Sequence, residues 1–448
     1  MGGKNRQGRR SEMVLPPLPL RLPPPKLAKD AAKASQRIHQ DFFQPITRQT
    51  LTQLLGLPGM IVTHFFVEEQ QGRQYLHLAC QHQHNVAVCP RCQQATGSGY
   101  DHKQRSVRHM AVFGMRTIIH FDKRRFDCEG CGQPFSERLS WLEPNRRQTR
   151  AYEDHIYEQV KKTARNHVAL QEGVSEATVL DIFKKKAKEK QRRVKQGPLR
   201  LLGVDEISVR KGHQTYALVL TDLERWCVLE VFDNRLQETF EQWLDGLSEQ
   251  QRRAIKGVSM DMWNPYRQVV RRKLPQAKIV ADRFHVVKQL NHQLNLLRRK
   301  LHREADEELA EILKGCRWIL LKNRADLTPT EEKKLGLILE ACPELRQVYL
   351  LKEEFRTIGN QIKDKKQAER FLLAWIYKAE ATGSRYLRKF VKTLRNWWTE
   401  FLNYFEEGIT QGFVEGTNRA IRGIINRAFG FRNFANFRLQ VLVEHGDP

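Results

Sequence analysis

The sequence predicts a multidomain α+β protein in which a β-rich segment, a helical segment and an α/β core follow one another. Three observations predict this class. The 448 residues are too many for one ordinary hydrophobic core. Short alternating runs typical of strands fill residues 44–142, and long amphipathic helices fill residues 286–410. Between them, from residue 199, apolar strands alternate with helices, as in an α/β core.

The net charge predicts a polyanionic partner. The chain holds 77 Lys and Arg residues against 51 Asp and Glu residues, a formal net charge of +26. Such a surface attracts phosphate backbones and releases their condensed counterions on binding. Passive binding to RNA or to an anionic membrane is the alternative, but it rarely needs apolar strands that end in acids. Since no run reaches the length of a membrane span and the start does not resemble a signal peptide, we expect a cytoplasmic protein without a membrane partner.

The first segment, residues 1–35, combines basic side chains with many prolines. That composition cannot bury a core, so we expect a disordered basic tail. Non-specific contact with DNA is the alternative to an idle tail.

Two CxxC pairs lie within residues 44–142, the predicted zinc-binding β-rich domain. The four cysteines are Cys89, Cys92, Cys128 and Cys131. Each pair places two thiolates on one tight turn, and two such turns complete the tetrahedral shell that a structural Zn²⁺ prefers. The gap between the pairs is longer than in a minimal zinc ribbon, so a β-hairpin or small sheet must fill it. Unligated thiols, a redox pair, or Cys80, His82 and His84 as other ligands are the alternatives.

Residues 147–195 are predicted to be helical. A first helix covers residues 151–164, and the segment NHVALQEGVSEATVLDIFKKK has the spacing of a helix-turn-helix. Ala169 is small where two helices cross, Gly173 supplies the turn, and Ser175 can cap the second helix. The side chains expected to face inward are Val174, Val179 and Ile182.

The second helix of this pair is the candidate DNA-reading helix. Its outward residues are Glu176, Ala177, Thr178 and Lys184. The basic run at residues 184–195 suits phosphate contacts, with a solvated helix end as the alternative. Because helical pairs that never touch DNA share this spacing, the pattern alone does not decide between the two readings.

From residue 199 the predicted order is three strands, then helix, strand, helix and strand. The strands lie in LRLLGVDEISV, QTYALVLTDLE, RWCVLEVFDN, AIKGVSMDMW and AKIVADRFHV, and the helices in TFEQWLDGLS and PYRQVVRRKL. This is the order of the RNase H-like fold. We therefore predict an RNase H-like α/β catalytic core in two parts, residues 199–285 and a final helix within 411–440. An all-helical insertion at residues 286–410 interrupts it.

Three carboxylates are the candidate catalytic residues of that core. Asp205 lies on its first strand and Asp261 on its fourth, which are neighbours in such a sheet, and Glu415 lies on the final helix. Two Mg²⁺ (or Mn²⁺) ions roughly 3.5–4 Å apart supply the activated water and the charge neutralisation that breaking a phosphodiester requires. Carboxylate oxygens are the hard ligands that Mg²⁺ prefers, so these three residues are also the predicted magnesium ligands.

Other acids compete for these roles. Glu206 follows Asp205 directly, and strand alternation points it to the opposite face. Asp222 and Asp233 lie at turns and are expected to be solvated. Asp282 is an accessory candidate together with His285, and capping of the next helix is its equally weighted alternative.

Basic residues surround Glu415 on the final helix. They are Arg419, Arg422, Arg427 and Arg432. We expect them to bind DNA, Arg419 and Arg422 above all, and a solvated helix face is the alternative.

These segments together resemble the ISL-three family of bacterial insertion-sequence transposases, which are of the DDE type. The resemblance rests on CPRC with RRFDCEGCGQPFSE, GVSEATV, GVDEISVRKGHQTYALVLTDLE, SMDMWNPYR, LPQAKIVADRFHVVKQLN and VEGTNRAIRGIINRAFGFRNFANFR. It implies that Asp205, Asp261 and Glu415 are the catalytic triad. The pair Asp282 and His285 is similar to the (C/D)xxH signature of the Mutator-like group, and Asn418 belongs to the matching final-helix motif. The proline-rich tail is outside the resemblance.

The resemblance implies a nucleoid-associated enzyme that binds terminal inverted repeats and catalyses DNA cleavage and strand transfer. At least a homodimer should assemble on DNA, because transposition joins two ends. A non-catalytic DNA-binding descendant of a transposase and an RNase H-like nuclease or resolvase without strand transfer are the alternatives. The sequence leaves open a short C-terminal truncation.

Overall fold

The computed structural model describes residues 47–191, 198–209, 216–362, 364–407 and 412–446. The chain divides into two compact units, Met1–Tyr152 and Glu153–Pro448. The tail expected at residues 1–35 lies outside the described residues. Within the described part of the chain, no helix combines the length and apolarity needed to cross a membrane.

The described part of the first unit is a short helix followed by strands. These elements are α1 (Arg48–Leu55), β1 (Met60–Gln70), β2 (Arg73–His82), β3 (Ala87–Val88), β4 (Ala95–Thr96), β5 (Gly99–Val112), β6 (Met115–Asp127) and β7 (Pro134–Ser136). Strands β1, β2, β6 and β5 form one sheet in that order, with β7 added to β6, and β3 pairs with β4. The expected β-rich character is present, but α1 was not predicted. Thr47 caps it and Leu51 is its buried contact with the core.

A tight hairpin sets the register of β5 and β6 in this sheet. The turn between β5 and β6 is Phe113 and Gly114, with φ of 51° and 76°, and Val112 pairs with Met115. Positive φ at both central residues is the turn type whose twist matches the flanking strands. The β5–β6 hairpin lies between the two CxxC pairs, where the sequence required an intervening hairpin.

The second unit begins with the predicted helix-turn-helix. Its helices are α2 (Arg150–Lys162, which starts in the first unit), α3 (Arg165–Glu172) and α4 (Glu176–Gln191). Gly173 ends α3 with φ of 67°, and the Ser175 hydroxyl accepts a hydrogen bond from the N–H of Thr178 at 3.1 Å. Val179 and Ile182 are fully buried, and Val174 is half-buried. The local pattern of the sequence therefore predicts these turns correctly.

Several lysines of α4 are engaged inside the unit rather than free for phosphate. Lys185 pairs with Glu153 and Lys186 with Asp154, each at 2.9 Å, and Lys190 pairs with Glu158 at 3.0 Å. Acids of α2 thus pair with three lysines of the run that suits phosphate contacts, and its contact with phosphate stays a prediction. Residues 192–197 of the run lie outside the described residues.

A five-stranded mixed sheet forms the centre of the second unit. Its strands are β8 (Leu201–Ser208), β9 (Tyr216–Asp222), β10 (Cys227–Phe232), β11 (Gly257–Met260) and β12 (Lys278–Ala281). Their order is β10-β9-β8-β11-β12. The first three are antiparallel neighbours, and β11 runs parallel to both β8 and β12.

Helices cover both faces of this sheet. They are α5 (Gln237–Asp245), α6 (Glu249–Ala254), α7 (Asn264–Lys273), α16 (Gly412–Arg427) and α17 (Phe434–His445). Side chains of α5 and α7 pack with Val204 and Leu218 on one face, whereas those of α16 and α17 pack with Ile207 and Val219 on the other. Alternate residues of β8 and β9 thus serve opposite cores, which is why both strands are apolar throughout. The predicted single final helix is in fact two, and the short α6 was not predicted.

The chain between β12 and α16 is helical. Its elements are α8 (Arg283–Glu304), α9 (Glu307–Leu313), α10 (Arg317–Leu321), a 3₁₀ turn (Arg324–Asp326), α11 (Pro329–Ala341), α12 (Pro343–Gln361), α13 (Lys365–Ala381), α14 (Arg385–Asn396) and α15 (Trp398–Glu407). They share one apolar core centred on Trp375, Phe355 and Phe390. Helix α15 attaches this core to the sheet, since the Asn403 amide donates to the carbonyl of Ile279 in β12 at 2.9 Å.

Helix α17 also packs against the helix-turn-helix. The buried Gln440 amide donates a hydrogen bond to the carbonyl of Val160 in α2 at 3.0 Å. The Arg165 guanidinium lies 5.9 Å from the ring centroid of Phe431. The helix-turn-helix and the sheet are thus parts of one packed unit.

Candidate active site and metal centre

The four cysteines of the CxxC pairs meet in one cluster. Their Sγ atoms all lie within 4.8 Å of one another. In each pair a backbone N–H returns to the carbonyl of the first cysteine: Gln93 to Cys89 at 3.0 Å and Gly132 to Cys128 at 2.7 Å. Four thiolates on two matching turns fit the tetrahedral preference of Zn²⁺.

The alternative ligands are used elsewhere. Cys80 is buried in the sheet core, and burial raises the pKa of its thiol to about 12. The His82 ring contacts Glu137 at 3.2 Å and the carbonyl of Asp122 at 2.9 Å. Neither residue is part of the described four-cysteine cluster.

The candidate active site lies where three parallel strands end. Asp205 is near the end of β8, Asp261 directly follows β11, and Asp282 directly follows β12. Since β8, β11 and β12 run parallel, their carboxyl ends lie at one edge of the sheet. The topology therefore gathers carboxylates that are far apart in sequence.

Polar side chains hold these carboxylates. The Asn418 amide of α16 donates to Oδ2 of Asp205 at 2.6 Å. The His285 ring lies between two acids, with Nδ1 at 2.8 Å from Oδ2 of Asp282 and Nε2 at 3.7 Å from Oδ2 of Asp261. Asp205, Asp261, Asp282, His285 and Asn418 are thus brought together.

Burial and mutual repulsion shift the proton affinities at this edge. Burial raises the pKa of Asp205 to about 6, and the charges of Asp261 and Asp282 act in the same direction. Burial alone would lower the pKa of His285, but the hydrogen bond to Asp282 and the surrounding carboxylates raise it. An edge this crowded with negative charge favours a bound cation.

Helix α16 comes close to β8 because residue 203 is a glycine. A Cβ at Gly203 would lie 2.3 Å from Oγ1 of Thr221 and 3.1 Å from Cγ2 of Val414. Val414 immediately precedes Glu415, which lines the same cavity as Asp205. The Glu415 side chain is half exposed, and its Oε1 accepts a hydrogen bond from Arg419 at 2.6 Å. Glu415 is therefore at the site, but its carboxylate is paired with an arginine.

The competing acids divide as follows. Asp282 fills both of its candidate roles, since Oδ1 caps α8 at the N–H of Phe284 while Oδ2 binds His285. Glu206 pairs with Arg235 at 2.9 Å, and it lines the same cavity as Asp205, so strand alternation does not remove it from the site. Asp233 is exposed, as predicted.

The prediction that Asp222 is solvated is wrong. Its side chain is buried, and its Oδ1 accepts the backbone N–H groups of Glu224 and Arg225. Its Oδ2 pairs with the Arg225 guanidinium at 2.7 Å. The carboxylate thus organises the β9–β10 turn from within, a role common for aspartate in turns.

The candidate site is part of a cavity of about 990 Å³ that sequence reasoning did not foresee. Its additional lining residues come from the helices between β12 and α16 and include Phe284, Lys288, Asn323, Arg356, Thr357 and Tyr404. Sequence spacing gave no signal for them, because the packing of long helices against the sheet is not encoded in local periodicity. The segment DRFH is the exception, since Phe284 lies between the accessory candidates Asp282 and His285.

The candidate DNA-binding residues are mostly at the surface. Glu176, Ala177 and Lys184 are exposed on α4, and Arg422 is exposed on α16. Thr178 is half-buried, and its hydroxyl lies 2.9 Å from that of Ser175 within the helix cap. On the final helices, Arg432 is exposed, Arg427 pairs with Glu444, and Arg419 pairs with Glu415.

Comparison with known families places this arrangement among the transposases. A family model described as a transposase matches residues 202–441, more than half of the chain. A zinc finger of the transposases of IS204, IS1001, IS1096 and IS1165 matches residues 85–131. The helix-turn-helix domain of transposase family ISL3 matches residues 137–185. The chain belongs to this ISL3 family, which confirms the resemblance seen in its sequence segments.

Individual relatives agree with this assignment. The chain is 28% identical over 405 residues to the transposase for insertion sequence element IS1001 of Bordetella parapertussis, covering 88% of this chain and 98% of that protein. It is 29% identical over 259 residues to the transposase for insertion sequence element IS1557 of Mycobacterium tuberculosis, in strains CDC 1551 and H37Rv, covering 52% of this chain and 57% of that protein. The chain is thus a transposase with a helix-turn-helix DNA-binding domain and a zinc ribbon, whose four cysteines support a structural Zn²⁺.

Proposed function

We propose that this transposase binds the terminal inverted repeats of an insertion sequence and catalyses metal-dependent DNA cleavage and strand transfer. Asp205, Asp261 and Glu415 are its proposed DDE triad. The observation that carries the proposal is the sheet edge, where parallel strands end in Asp205, Asp261 and Asp282, and where Asp205 and Asp282 share a cavity with Glu415.

The proposed core is RNase H-like. Three antiparallel strands with two further parallel strands beside β8, in the order β10-β9-β8-β11-β12, support this class. We propose residues 199–285 and 411–440 as its two parts, with residues 286–410 as a helical insertion. Upstream of it we propose a zinc domain at 44–142 and a helix-turn-helix domain at 147–195.

The donor set at the edge fits Mg²⁺ or Mn²⁺. Carboxylate oxygens are the ligands these hard ions prefer. Burial first, and the charges of Asp261 and Asp282 second, raise the pKa of Asp205, and a bound cation would stabilise its charged form. Asp205, Asp261 and Glu415 would hold two ions. When bound, the ions supply an activated water and neutralise charge on the attacking and leaving oxygens.

The chain's own side chains orient these ligands. The Asn418 amide donates to Oδ2 of Asp205 and the backbone N–H of Glu206 donates to Oδ1 at 2.7 Å. Both oxygens are thereby fixed in place, and each keeps a second lone pair for a metal ion. The Asp282 carboxylate fixes the His285 ring, whose other nitrogen faces Asp261. Arg419 forms an ion pair with Glu415. This ion pair must break before the Glu415 carboxylate can bind a metal ion.

The partners follow from the DNA-binding modules. The zinc ribbon and the exposed side chains of α4, Glu176, Ala177 and Lys184, are the proposed readers of the terminal repeat, and Arg422 is a proposed phosphate contact beside the site. Since two ends are joined, we propose a homodimer or higher assembly on DNA in the bacterial cytoplasm, associated with the nucleoid.

The test is cleavage of a labelled duplex that carries the flanking terminal repeat and adjoining host DNA, with Mg²⁺ or Mn²⁺. Asp205→Ala, Asp261→Ala and Glu415→Ala should each lower cleavage by about 10³-fold or more while binding persists. Asp233→Ala, at an exposed acid outside the cavity, is the matched control and should cut normally.

Each alternative gives a different result in the same assay. Binding without cutting by the wild-type chain points to a non-catalytic DNA-binding protein. Cutting without joining to a second duplex points to a nuclease or resolvase. Cutting that survives substitution of one acid removes that acid from the triad and makes Asp282 the next candidate.

A further inference from the structure

The cavity beside the carboxylate edge has two unlike walls. One wall belongs to the sheet and α16 and carries Asp205, Glu415 and Asn418. The other part of the lining, the helical wall, belongs to the helices that follow β12 and carries Phe284, Lys288 and Arg356. At about 990 Å³ the space is at the upper end of the roughly 300–1,000 Å³ typical of ligand sites. It admits a short stretch of one strand rather than a duplex.

The helical wall offers positive charge that the protein does not satisfy. The buried Nη1 of Arg356 has no hydrogen-bond partner, and its acidic neighbour, Oε1 of Glu353, is 3.9 Å away. Lys288 is exposed on α8, one helical turn after Phe284, and within the described residues it has no ion pair. A buried guanidinium nitrogen without a hydrogen-bond partner is costly, and a phosphate oxygen in the cavity would supply that partner.

An exposed aromatic ring lies beside these cations. Phe284 stands between Asp282 and His285 at the start of α8, and 56% of it is exposed. Its ring meets that of His285 edge to face, with centroids 5.6 Å apart, and the side chain lines the cavity. A free aromatic face next to phosphate-binding cations is the usual platform for an unpaired base.

We propose that the helical wall binds unpaired nucleotides of the DNA strand next to the scissile phosphate. Phe284 stacks on a base, while Arg356 and Lys288 hold the neighbouring phosphates. The inference rests on the proposed function and deepens it, because it gives the helices between β12 and α16 a role in holding the DNA end. Stacking accepts any base, so this contact adds affinity without reading sequence.

The test compares two substrates for the full-length chain. One is a fully paired terminal-repeat duplex, and the other has two unpaired nucleotides at the cleavage position. Phe284→Ala should weaken binding of the unpaired substrate by about 5- to 100-fold and that of the paired duplex by less than about twofold. Phe284→Trp should restore tight binding. Tyr377→Ala removes an aromatic ring that is 77% exposed and outside the cavity, and should change neither affinity.

The cations are tested separately. Lys288→Gln and Arg356→Gln should each weaken binding of the unpaired substrate and lower the slope of its salt dependence by about 0.7. The matched control is Arg370→Gln, at an exposed arginine outside the cavity, which should leave that slope unchanged. Thermal melting shows whether each variant is folded. If Arg356→Gln does not fold, Lys288→Gln alone tests the proposal.

The outcomes separate this inference from the proposed function. If wild type cuts the terminal repeat but Phe284→Ala and Lys288→Gln bind the unpaired substrate normally, the helical wall does not hold the strand and the inference is overturned. If these variants lose dimer assembly instead, the wall is a contact between subunits, which also overturns it. Absence of cleavage by wild type, with the unpaired strand still bound through Phe284, contradicts the proposed function alone.

Discussion

The molecule has two candidate metal centres that are built in opposite ways. The cysteine cluster takes all four donors from residues 89–131, on two turns of matching hydrogen-bond pattern, and its sulfur atoms lie within 4.8 Å of one another. The carboxylate edge takes its donors from residues 205–415, on two strands and a helix. There, Asp205 binds Asn418 and Glu415 binds Arg419.

The difference reflects what each centre has to do. A structural zinc site is closed, so its donors can be placed by local backbone turns and need no other partner. A catalytic site must keep coordination positions open for water and substrate, and its ligands are held by neighbouring polar groups. For the proposed metal site, the contacts of Asn418 and His285 would orient the carboxylates in this way, whereas the pairing of Arg419 with Glu415 must first be exchanged.

The largest predicted effect follows from breaking the closed centre. Cys128→Ser should lower the zinc content from one ion per chain to nearly none, because a structural Zn²⁺ contributes on the order of 10–16 kcal/mol in small zinc domains. Hydrogen exchange should then show loss of protection at the CxxC turns and the adjacent ends of β5 and β6.

Cys342→Ala is the matched control, since this buried cysteine belongs to the helical core. It should keep one zinc ion per chain. Equal zinc content in both variants would contradict the assignment of the cluster.

A smaller, opposite effect is expected at the open centre. Without added Mg²⁺ or Mn²⁺, Asp205→Asn should raise the free energy of unfolding by up to about 3 kcal/mol at pH 8, since the substitution removes a buried, repelled carboxylate. The measurement is chemical denaturation over a pH series. Added Mg²⁺ should stabilise wild type and not the variant.

The pH dependence follows from the sign of the pKa shift. The pKa of Asp205 is raised from 3.8 to about 6, so between these values the folded chain holds the proton more tightly than the unfolded chain. The cost of the carboxylate therefore grows as pH rises through this window and is complete above it. The advantage of Asp205→Asn should vanish below about pH 4, and an advantage that persists there would contradict the prediction. Asp233→Asn, at an exposed acid, should show no such trend.

The packing of α16 against β8 gives a third test. Gly203→Ala should destabilise the second unit by about 1–3 kcal/mol, because its new methyl group meets Thr221 and Val414. Cleavage should fall by up to about 100-fold, since Glu415 moves with the helix. Gly423→Ala, where a Cβ meets nothing within 4 Å, should be neutral or stabilising. Equal activity of the two variants would show that the position of α16 is not critical.

The smallest effect distinguishes two lysines of α4. Lys184 is exposed, whereas Lys186 is almost fully buried against Asp154. Lys184→Gln should lower the salt slope of DNA binding by about 1 and change stability by less than about 0.5 kcal/mol. Lys186→Gln should do the reverse, lowering stability by about 1 kcal/mol with an unchanged salt slope. If Lys186→Gln lowered the salt slope and Lys184→Gln lowered the stability, α4 would contact DNA through a different face.

Local pattern predicted much of the fold. Short apolar runs predicted β8, β9 and β10, and the CxxC spacing predicted the cysteine cluster, because both signals arise from neighbouring residues. The turn and cap of the helix-turn-helix came from Gly173 and Ser175 for the same reason. Helix α1 was not predicted from the sequence because its eight residues carry only one buried side chain, Leu51.

Tertiary contacts account for what was missed. From the sequence, Asp222 was predicted to be a solvated acid at a turn, but in the fold it is buried and paired with Arg225. Lys186 lies in a run that suits phosphate contacts, but in the fold it is paired with Asp154. In each case the partner is decided by packing or turn geometry and not by composition. The roles of Asp205, Asp261 and Glu415 remain predictions, although the topology brings Asp205 and Asp261 to one edge.

The hydrogen bond from Gln440 to Val160 affects the distance between the DNA-binding domain and the carboxylate edge. It fastens α17, the helix after α16, to the first helix of the DNA-binding domain. If α4 binds the terminal repeat, as we propose, the repeat is held at a fixed distance from Asp205 and Glu415. The protein would then set the number of base pairs between the repeat and the cleaved phosphate, and a longer or shorter spacer should move the cleavage position or abolish cleavage.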